Sequence, residues 1–347
     1  MNIFKRTILN QTKMTNSKEG QFPKSIVWGI IGCGDVTEKK SGPAFNKVPN
    51  SSLLAVMRRD VEKAKDYAQR HSVPKFYGDA HTLINDPEIN AIYIATPPGS
   101  HEEYTIAALH AGKRVYVEKP MATDLAACLR MKKIANDTNG QLCIAHYRRA
   151  LPMFRTIKEL ITINTIGEVR SVRISMLQPD ESVKNSLVKD NWRVDPSISG
   201  GGLFYDLAPH QIDLIIYFFG NPIVSYGMSA NQAGLYKAED IVTGCIRLPG
   251  NILFTGHWCY TVGEGLQEDI VEIIGSKGKI LFPVFGYEVT IVTGNEMKVL
   301  SFPPPEHIQQ PMIEKVVNYF LGKGENPCSA AEAIESMKVM EKFVYGM

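Results

Sequence analysis

The sequence lacks the features that define several large classes of protein. Its six cysteines are scattered and form no Cys-x-x-Cys pair, which argues against a disulfide framework and against a zinc site. No apolar run approaches the roughly 18 residues of a membrane span. The first two dozen residues also lack the apolar centre of a secretory signal. We therefore expect a cytoplasmic protein with reduced thiols, without a bound metal and without a membrane partner.

The sequence also has little net charge. Its 38 Lys and Arg residues against 36 Asp and Glu give +2, which argues against strong electrostatic attraction to nucleic acid or to membranes. The 347 residues, 44% hydrophobic and 21% charged, are typical of a globular protein longer than one core usually supports. We therefore predict two domains after a flexible N-terminal tail at residues 1–24.

In the first half, short apolar runs alternate with helical segments. The runs are typical of buried parallel strands, and the helical segments begin and end at capping residues such as Asp60 and Gly112. This alternation predicts a doubly wound parallel sheet over residues 25–147. The predicted strands are 25–31, 52–57, 91–95, 114–117 and 141–145, and the predicted helices are 61–71, 100–111 and 123–137.

The second half has a different pattern. A helix at 152–163 and a helix carrying Asp206 and His210 precede a series of strand-like segments separated by Gly-containing turns. Two terminal helices follow, and the last opens with the capping box Ser329-x-x-Glu332. We predict an α+β domain over residues 148–347 with a large, mostly antiparallel sheet. Its predicted strands are 222–232, 239–248, 251–261, 268–274, 279–284, 287–293 and 297–302.

A glycine turn, Gly32-Cys33-Gly34-Asp35-Val36, follows the first strand. Glycine at this point lets the backbone turn tightly and approach a pyrophosphate, whose charge meets backbone N–H groups. Thr37 replaces the third glycine of the usual fingerprint, so an ordinary strand–helix turn remains an alternative. The position after the first strand of a βα series favours a dinucleotide site.

The second strand bears on the choice of dinucleotide. NAD sites usually place an acid at the end of this strand, whereas NADP sites often place arginine there for the 2′-phosphate. Here the strand ends in Arg58 and Arg59, and the acid Asp60 follows as a helix cap. We favour NADP over NAD; two solvated arginines are the alternative.

Further candidate residues follow the third and fourth predicted strands. Thr96, Pro97, Pro98 and His101 come after one strand, and Glu118-Lys119-Pro120 after the next. Ligands of such sheets bind at the carboxyl ends of the strands. We expect these residues to contact the cofactor, with ordinary loop prolines and a surface lysine as the alternatives.

The stretch from Gly200 to Asp213 carries an acid–base pair. Asp206 and His210 are four residues apart and therefore share one face of a helix. A histidine held by an acid commonly moves protons near neutral pH. Because Pro209 is tolerated only early in a helix, we expect the helix to begin near Phe204.

Together these residues resemble the Gfo/Idh/MocA oxidoreductases. The resemblance implies a Rossmann domain followed by an open-faced sheet domain. It implies that Lys119 is the active-site lysine, that Asp206 binds substrate and that His210 transfers the proton. Trp192 and Arg193 would help to hold the nicotinamide nucleotide, with Arg193 and Tyr147 also near the substrate. The motifs that carry the resemblance are Gly32-x-Gly34, Glu118-Lys119-Pro120, Trp192-Arg193, and Gly200-Gly201-Gly202-x-x-x-Asp206-x-x-x-His210-x-x-Asp213.

The expected activity is hydride transfer between NAD(P) and a secondary alcohol or ketone of a sugar, cyclitol or related polyol. In that chemistry His210 takes the hydroxyl proton and Lys119 stabilises the developing alkoxide. The resemblance also implies a homodimer or homotetramer formed through the C-terminal sheet. Two alternatives remain: an NAD-dependent glycoside hydrolase of the same superfamily, and a regulator that binds nucleotide or sugar without catalysis.

Overall fold

The first sheet has six strands, all parallel, in the order β3-β2-β1-β4-β5-β6. The computed structural model describes residues 22–179 and 192–346, so nearly all of the predicted tail lies outside the described residues. The strand order reverses between β1 and β4, and ligands of such sheets bind at this point. The strands are β1 Ile26–Ile31, β2 Ser51–Met57, β3 Lys75–Tyr77, β4 Ala91–Ile94, β5 Arg114–Val117 and β6 Leu142–Ile144.

Helices cover both faces of this sheet, which explains why its strands are almost wholly apolar. All four residues of β4 are fully buried. The predicted cap is present, since the Asp60 carboxylate accepts a hydrogen bond from the backbone N–H of Lys63 at 3.2 Å. Among the strands and α-helices of this half, the short elements β3, α1 and α3 were not predicted from the sequence. The helices are α1 Asp35–Lys39, α2 Val61–Arg70, α3 Ala80–Ile84, α4 His101–His110 and α5 Leu125–Asp137.

The second sheet has eight strands in the order β14-β13-β12-β11-β7-β10-β9-β8. Its pairs are antiparallel except for β7 with β10, so the prediction of a mostly antiparallel sheet is confirmed. The bounds are β7 Val169–Pro179, β8 Val224–Ala230, β9 Ile241–Arg247, β10 Leu253–Val262, β11 Glu268–Gly275, β12 Gly278–Phe282, β13 Glu288–Thr293 and β14 Glu296–Ser301.

Strand β7 is the one strand of this sheet that the sequence reading did not predict, although it lies at the centre. Val172, Ile174 and Met176 are buried at alternate positions, so a period-two signal was present in the sequence. β7 follows α6 Pro152–Thr162 after a short turn.

One face of the second sheet packs against two helices, α8 Gly202–Phe219 and α10 Ala330–Tyr345. The Trp258 ring on β10 meets Phe204 of α8 at 5.2 Å and Phe343 of α10 at 5.9 Å between ring centroids. Gly244 on β9 permits this approach, because a Cβ there would stand 2.4 Å from the Phe343 ring. The core of the second half therefore lies on one face of its sheet.

Helix α8 begins at Gly202, two residues before the predicted start, so Pro209 lies in its interior. The start therefore lies close to the predicted one, and Pro209 falls at the eighth position of the helix instead of the sixth. Pro209 has no N–H, and the Tyr205 carbonyl loses its helical donor. The helix extends to Gly202 because the Ser199 hydroxyl accepts from the Gly202 N–H at 3.1 Å.

The C-terminal segments pack against the first sheet as well as the second. Helix α9 Gln310–Phe320 places Phe320 on Trp28 of β1, with ring centroids 5.6 Å apart. The Gln309 side chain donates to Glu118 at 2.6 Å. The predicted capping box at Ser329 is present. The boundary near residue 147 stays a prediction, and among the described residues no helix is long and apolar enough to cross a membrane.

Candidate active site

A cavity of about 820 Å³ opens where the strand order of the first sheet reverses. Its floor comes from residues that follow β1, β2, β4 and β5, and its opposite wall from the short helix α7 Pro196–Ser199, its preceding turn and α8. All of the predicted cofactor residues except His101 line it. They are Gly32, Cys33, Gly34, Asp35, Val36, Arg58, Arg59, Thr96, Pro97, Pro98, Glu118, Lys119, Trp192 and Arg193.

The two glycines after β1 serve different purposes. Gly32 has a φ of +92°, and a Cβ there would stand 2.8 Å from the Thr96 backbone nitrogen. At Gly34 a Cβ would meet nothing within 4 Å, so the open space beside it belongs to the cavity. The buried Thr37 hydroxyl donates to the Gly34 carbonyl at 2.7 Å and fastens the turn. This arrangement fits a pyrophosphate at the start of α1.

Two cations lie at the end of β2. Arg58 and Arg59 both line the cavity, and Arg58 Nη1 lies 3.4 Å from the Cys33 carbonyl. Asp60 directly follows these arginines, and its carboxylate caps α2 and forms an ion pair with Lys63 at 3.5 Å. The acid is therefore engaged in holding the helix, and the arginines offer positive charge to a ligand.

His101 does not reach the cavity. Its ring is buried, with Nε2 2.8 Å from the Thr96 carbonyl and Nδ1 3.0 Å from the Pro120 carbonyl. These contacts place the ring between the loop after β4 and the loop after β5. Because burial lowers the pKa of His101, the neutral ring donates a hydrogen bond to one of the two carbonyls. His101 thus has the geometry of a residue that positions two cavity loops, and the expected cofactor contact is absent from this arrangement.

Lys119 joins the loop after β5 to helix α8. Its Nζ donates to Asp206 Oδ1 and to the Asp206 carbonyl, both at 2.8 Å. The carbonyl lies in the turn that Pro209 interrupts, and a proline kink opens such a turn. Arg193 Nε lies 3.2 Å from Asp206 Oδ2. Burial raises the pKa of Asp206, but Lys119 and Arg193 outweigh it and hold the pKa below its ordinary value.

His210 lies one helical turn after Asp206, buried between two aromatic rings. The Tyr147 and Phe285 rings stand edge-on to the imidazole, at centroid distances of 5.2 Å and 5.7 Å. Burial lowers the pKa of His210 well below its ordinary value, and the charge of Lys119 adds to the shift. His210 is therefore neutral at neutral pH and able to accept a proton.

The expected hydrogen bond between Asp206 and His210 is not found among the residues that the structure describes. Both oxygens of Asp206 bond to Lys119 and Arg193, and His210 Nδ1 is buried without a partner. The spacing of four places both side chains on one face, but the two cations compete for the acid. The interpretation that Asp206 holds His210 is thus wrong, whereas the implied role of Asp206 in binding the substrate stays a prediction.

Several residues of the site were missed by sequence reasoning. Two of them, Tyr93 and Gln309, hold the predicted residue Glu118. The Tyr93 hydroxyl donates to it at 2.5 Å, and the Gln309 side chain, almost two hundred positions away along the chain, donates to it at 2.6 Å. Phe285 lies in the turn after β12, and nothing in the sequence around it indicates its contact with His210. Tyr104, in the first turn of α4, lines the cavity and could have been found as a side chain near the end of β4.

Comparison with known proteins gives a consistent result. The family model described as an oxidoreductase family with an NAD-binding Rossmann fold, GFO/IDH/MocA, matches residues 26–146. The model for the GFO/IDH/MocA C-terminal domain matches residues 154–281. Together they cover well over half of the chain.

Individual proteins agree with these matches. An oxidoreductase of Formosa agariphila is 41% identical over 318 residues, which are 92% of this chain and 98% of that protein. Trans-1,2-dihydrobenzene-1,2-diol dehydrogenase of Bos taurus is 28% identical over 285 residues, 81% of each chain. A levoglucosan dehydrogenase solved with NADH and levoglucosan superposes with a TM-score of 0.79 at 22% identity, over 92% of this chain and 96% of that one. The chain therefore belongs to the Gfo/Idh/MocA family of NAD(P)-binding oxidoreductases.

Proposed function

We propose that the protein transfers hydride between a nicotinamide dinucleotide, preferably NADP, and a secondary alcohol or ketone of a sugar, cyclitol or related polyol. The observation that carries this proposal is the contact of Lys119 with Asp206 on the wall of a cavity whose floor is the Gly32–Gly34 turn. The contact brings an acid and a cation beside the nucleotide cavity, within one helical turn of a neutral histidine.

The cavity residues fit the dinucleotide. The open space at Gly34 and the start of α1 suit the pyrophosphate, and Trp192 and Arg193 close the opposite wall. Arg193 lies over the Trp192 ring, 4.7 Å from its centroid, which keeps both side chains at that wall. When bound, the nicotinamide supplies the hydride acceptor or donor.

The chain's own residues move the proton and bind the substrate. His210 takes the proton of the substrate hydroxyl at the ring nitrogen that faces the substrate, since its burial keeps it neutral. Lys119 forms an ion pair with Asp206 at 2.8 Å and stabilises negative charge on the substrate oxygen. Asp206 and Arg193 hold substrate hydroxyls, and Tyr147 forms the wall beside His210.

Two further properties are proposed with the activity. The preference for NADP follows from Arg58 and Arg59 at the end of β2 and from the engagement of Asp60 in the helix cap. A cytoplasmic location follows from the scattered thiols, which suit a reducing compartment.

A panel of sugars and polyols, read at the nicotinamide absorbance with NAD and NADP, tests the activity. A dehydrogenase consumes the nicotinamide in step with the substrate, whereas a hydrolase of this superfamily would recycle it. Absence of turnover with every compound, despite tight nucleotide binding, would favour the regulator instead.

We expect His210→Ala to lower kcat by ~10²–10⁴-fold on the best substrate, the usual contribution of general acid–base catalysis. Nucleotide affinity should be unchanged, because His210 does not line the cavity.

In the wild type, oxidation should persist below pH ~6.5, the ordinary pKa of histidine, since the lowered pKa keeps His210 neutral there. Unchanged turnover, or a wild-type profile that falls at or above pH ~6.5, would contradict this role; His110→Ala, on the exposed end of α4, is the control.

The two glycines should respond differently to alanine. Gly34→Ala should keep the melting temperature and weaken NADP binding on the order of tenfold or more, because its Cβ would enter the space of the pyrophosphate. Gly32→Ala should lower the free energy of unfolding by at least about 1 kcal/mol, because of its positive φ and its contact with Thr96. Calorimetry and nucleotide titration measure both effects, and equal effects of the two variants would argue against this assignment.

The arginines after β2 give a test of cofactor preference. Arg58→Ala and Arg59→Ala should weaken NADP binding by about tenfold or more, with little effect on NAD, because only NADP carries the 2′-phosphate. Lys65→Ala, exposed on α2, should change neither. Tighter binding of NAD by the wild type, or equal losses for both nucleotides, would refute the preference.

The open face of the second sheet supports a homo-oligomer. Cross-strand pairing places Tyr226, Met228, Leu253, Met297 and Val299 on this face, and each is more than half exposed. We expect light scattering to give two or four times the chain mass, and expect Met228→Glu with Val299→Glu to dissociate the oligomer. Lys298→Glu, which points to the other side of β14, is the control. A monomeric wild type would contradict the assembly.

A further inference from the structure

Two consecutive arginines, Arg148 and Arg149, are buried beside helix α8, with exposures of 5% and 4%. Burial of a charge is costly unless the charge is paired and hydrogen-bonded. Their surroundings can therefore be compared directly, since both have the same side chain, the same burial and adjacent positions.

Arg149 is fully paired. Its Nε and Nη2 donate to the two oxygens of Asp213, at 2.8 Å and 2.7 Å, and its Nη1 donates to Glu332 at 2.5 Å. Through the edge formed by Nε and Nη2, a guanidinium can bind a carboxylate with two parallel hydrogen bonds. This arginine compensates its burial within the protein.

Arg148 has no such partner. Its Nη1 donates to the Val284 carbonyl at 2.5 Å, but Nε is buried without a hydrogen bond. Among the described residues, no carboxylate is in ion-pair contact with this guanidinium. Asp269 is near enough for the charge of Arg148 to act on its carboxylate. Its two oxygens, however, accept hydrogen bonds from the backbone N–H groups of Val284 and Phe285, at 3.0 Å and 2.6 Å.

The edge of Arg148 that corresponds to the carboxylate-binding edge of Arg149 is thus left without a protein anion. Aromatic rings compensate part of the charge, since the guanidinium lies 4.4 Å from the Phe285 centroid and 5.4 Å from the Tyr147 centroid. Neither ring can accept the in-plane hydrogen bond of Nε. The Nε group therefore has no acceptor among the described residues, and a planar anion on a ligand would supply one.

The same two rings flank His210, at 5.2 Å and 5.7 Å. The guanidinium and the imidazole therefore share both aromatic neighbours, which places them in the same part of the molecule. The charged groups that act most strongly on His210 are the cations Lys119 and Arg148. Lys119 is already paired with Asp206, whereas Arg148 has no ion-pair partner among the residues that the structure describes.

We propose that the substrate carries a carboxylate, and that Arg148 binds it through Nε and Nη2 while His210 acts on a hydroxyl of the same molecule. The substrate class is then a sugar acid or polyol acid rather than a neutral sugar. A carboxylate suits the site better than a phosphate, because one free guanidinium edge matches one planar monoanion and leaves the second charge of a phosphate unpaired. This inference rests on the proposed oxidoreductase function.

Matched pairs of compounds test it on the full-length protein with NADP. The pairs are D-glucuronate with D-glucose and D-gluconate with D-glucitol, and D-glucose 6-phosphate serves as the phosphate probe. We expect kcat/KM to be at least about 10- to 100-fold higher for the carboxylated member of a pair, the range of a charge-assisted hydrogen bond. Equal values, or a preference for the neutral or the phosphorylated compound, would overturn the proposal.

Variants at position 148 locate the effect. Arg148→Met should reduce the ratio of carboxylated to neutral kcat/KM by about 10- to 100-fold, and Arg148→Lys should retain part of that ratio. Arg155→Met, exposed on α6, should leave the ratio unchanged. A structural role alone would lower both members of a pair by the same factor and would overturn the inference. If Arg148→Met does not fold, the ratio of carboxylated to neutral kcat/KM in the wild type and in Arg148→Lys still tests the proposal.

Failure of this inference and failure of the proposed function give different results. Turnover of neutral compounds without a preference for carboxylated ones would support the oxidoreductase function and overturn the proposal that the substrate carries a carboxylate. If no compound is turned over, the rise in melting temperature with the same compounds measures binding. A rise for the carboxylated members that Arg148→Met abolishes supports the anion site without the activity, and no rise with any of them overturns it.

Discussion

The Lys119 ammonium connects the two halves of the chain through its hydrogen bonds to the carboxylate and the carbonyl of Asp206, both at 2.8 Å. The lysine lies in the loop after strand β5 of the first sheet, and the acid lies on helix α8, which packs against the second sheet. A cation and an anion that are partly removed from water interact more strongly than at the surface. The contact therefore defines the edge where the nucleotide cavity meets the space around His210.

Buried charged side chains near this contact are held by partners from distant parts of the chain. Glu118 accepts hydrogen bonds from Tyr93 and from Gln309, and Arg149 is held by Asp213 and Glu332. Gln309 and Glu332 lie in the C-terminal part of the chain, so the last helices help to position the residues of the site. Arg148 differs, because its buried Nε has no hydrogen-bond partner among the described residues. This Nε is the structural basis for proposing an anionic substrate.

Much of the fold could be predicted because its signals are local. The strands of the first sheet read as short apolar runs, and caps such as Asp60 and Ser329 bond to backbone N–H groups three residues away. Strand β7 shows that a local signal can also be overlooked, since Val172, Ile174 and Met176 alternate as a half-buried strand requires. The start of α8 lies two residues before the predicted one, at Gly202, whose backbone N–H donates to the Ser199 hydroxyl.

The sequence by itself determined the fold class, the family resemblance and the loops that line the nucleotide cavity, because parallel strands bring their carboxyl ends to one edge of the sheet. Only the tertiary structure decided which partners the polar side chains take. His101 turns to two backbone carbonyls instead of the cavity, and Asp206 binds Lys119 and Arg193 instead of His210. The physical reason is that spacing along the chain decides which face a side chain occupies, whereas competition among charges brought together by folding decides what it binds.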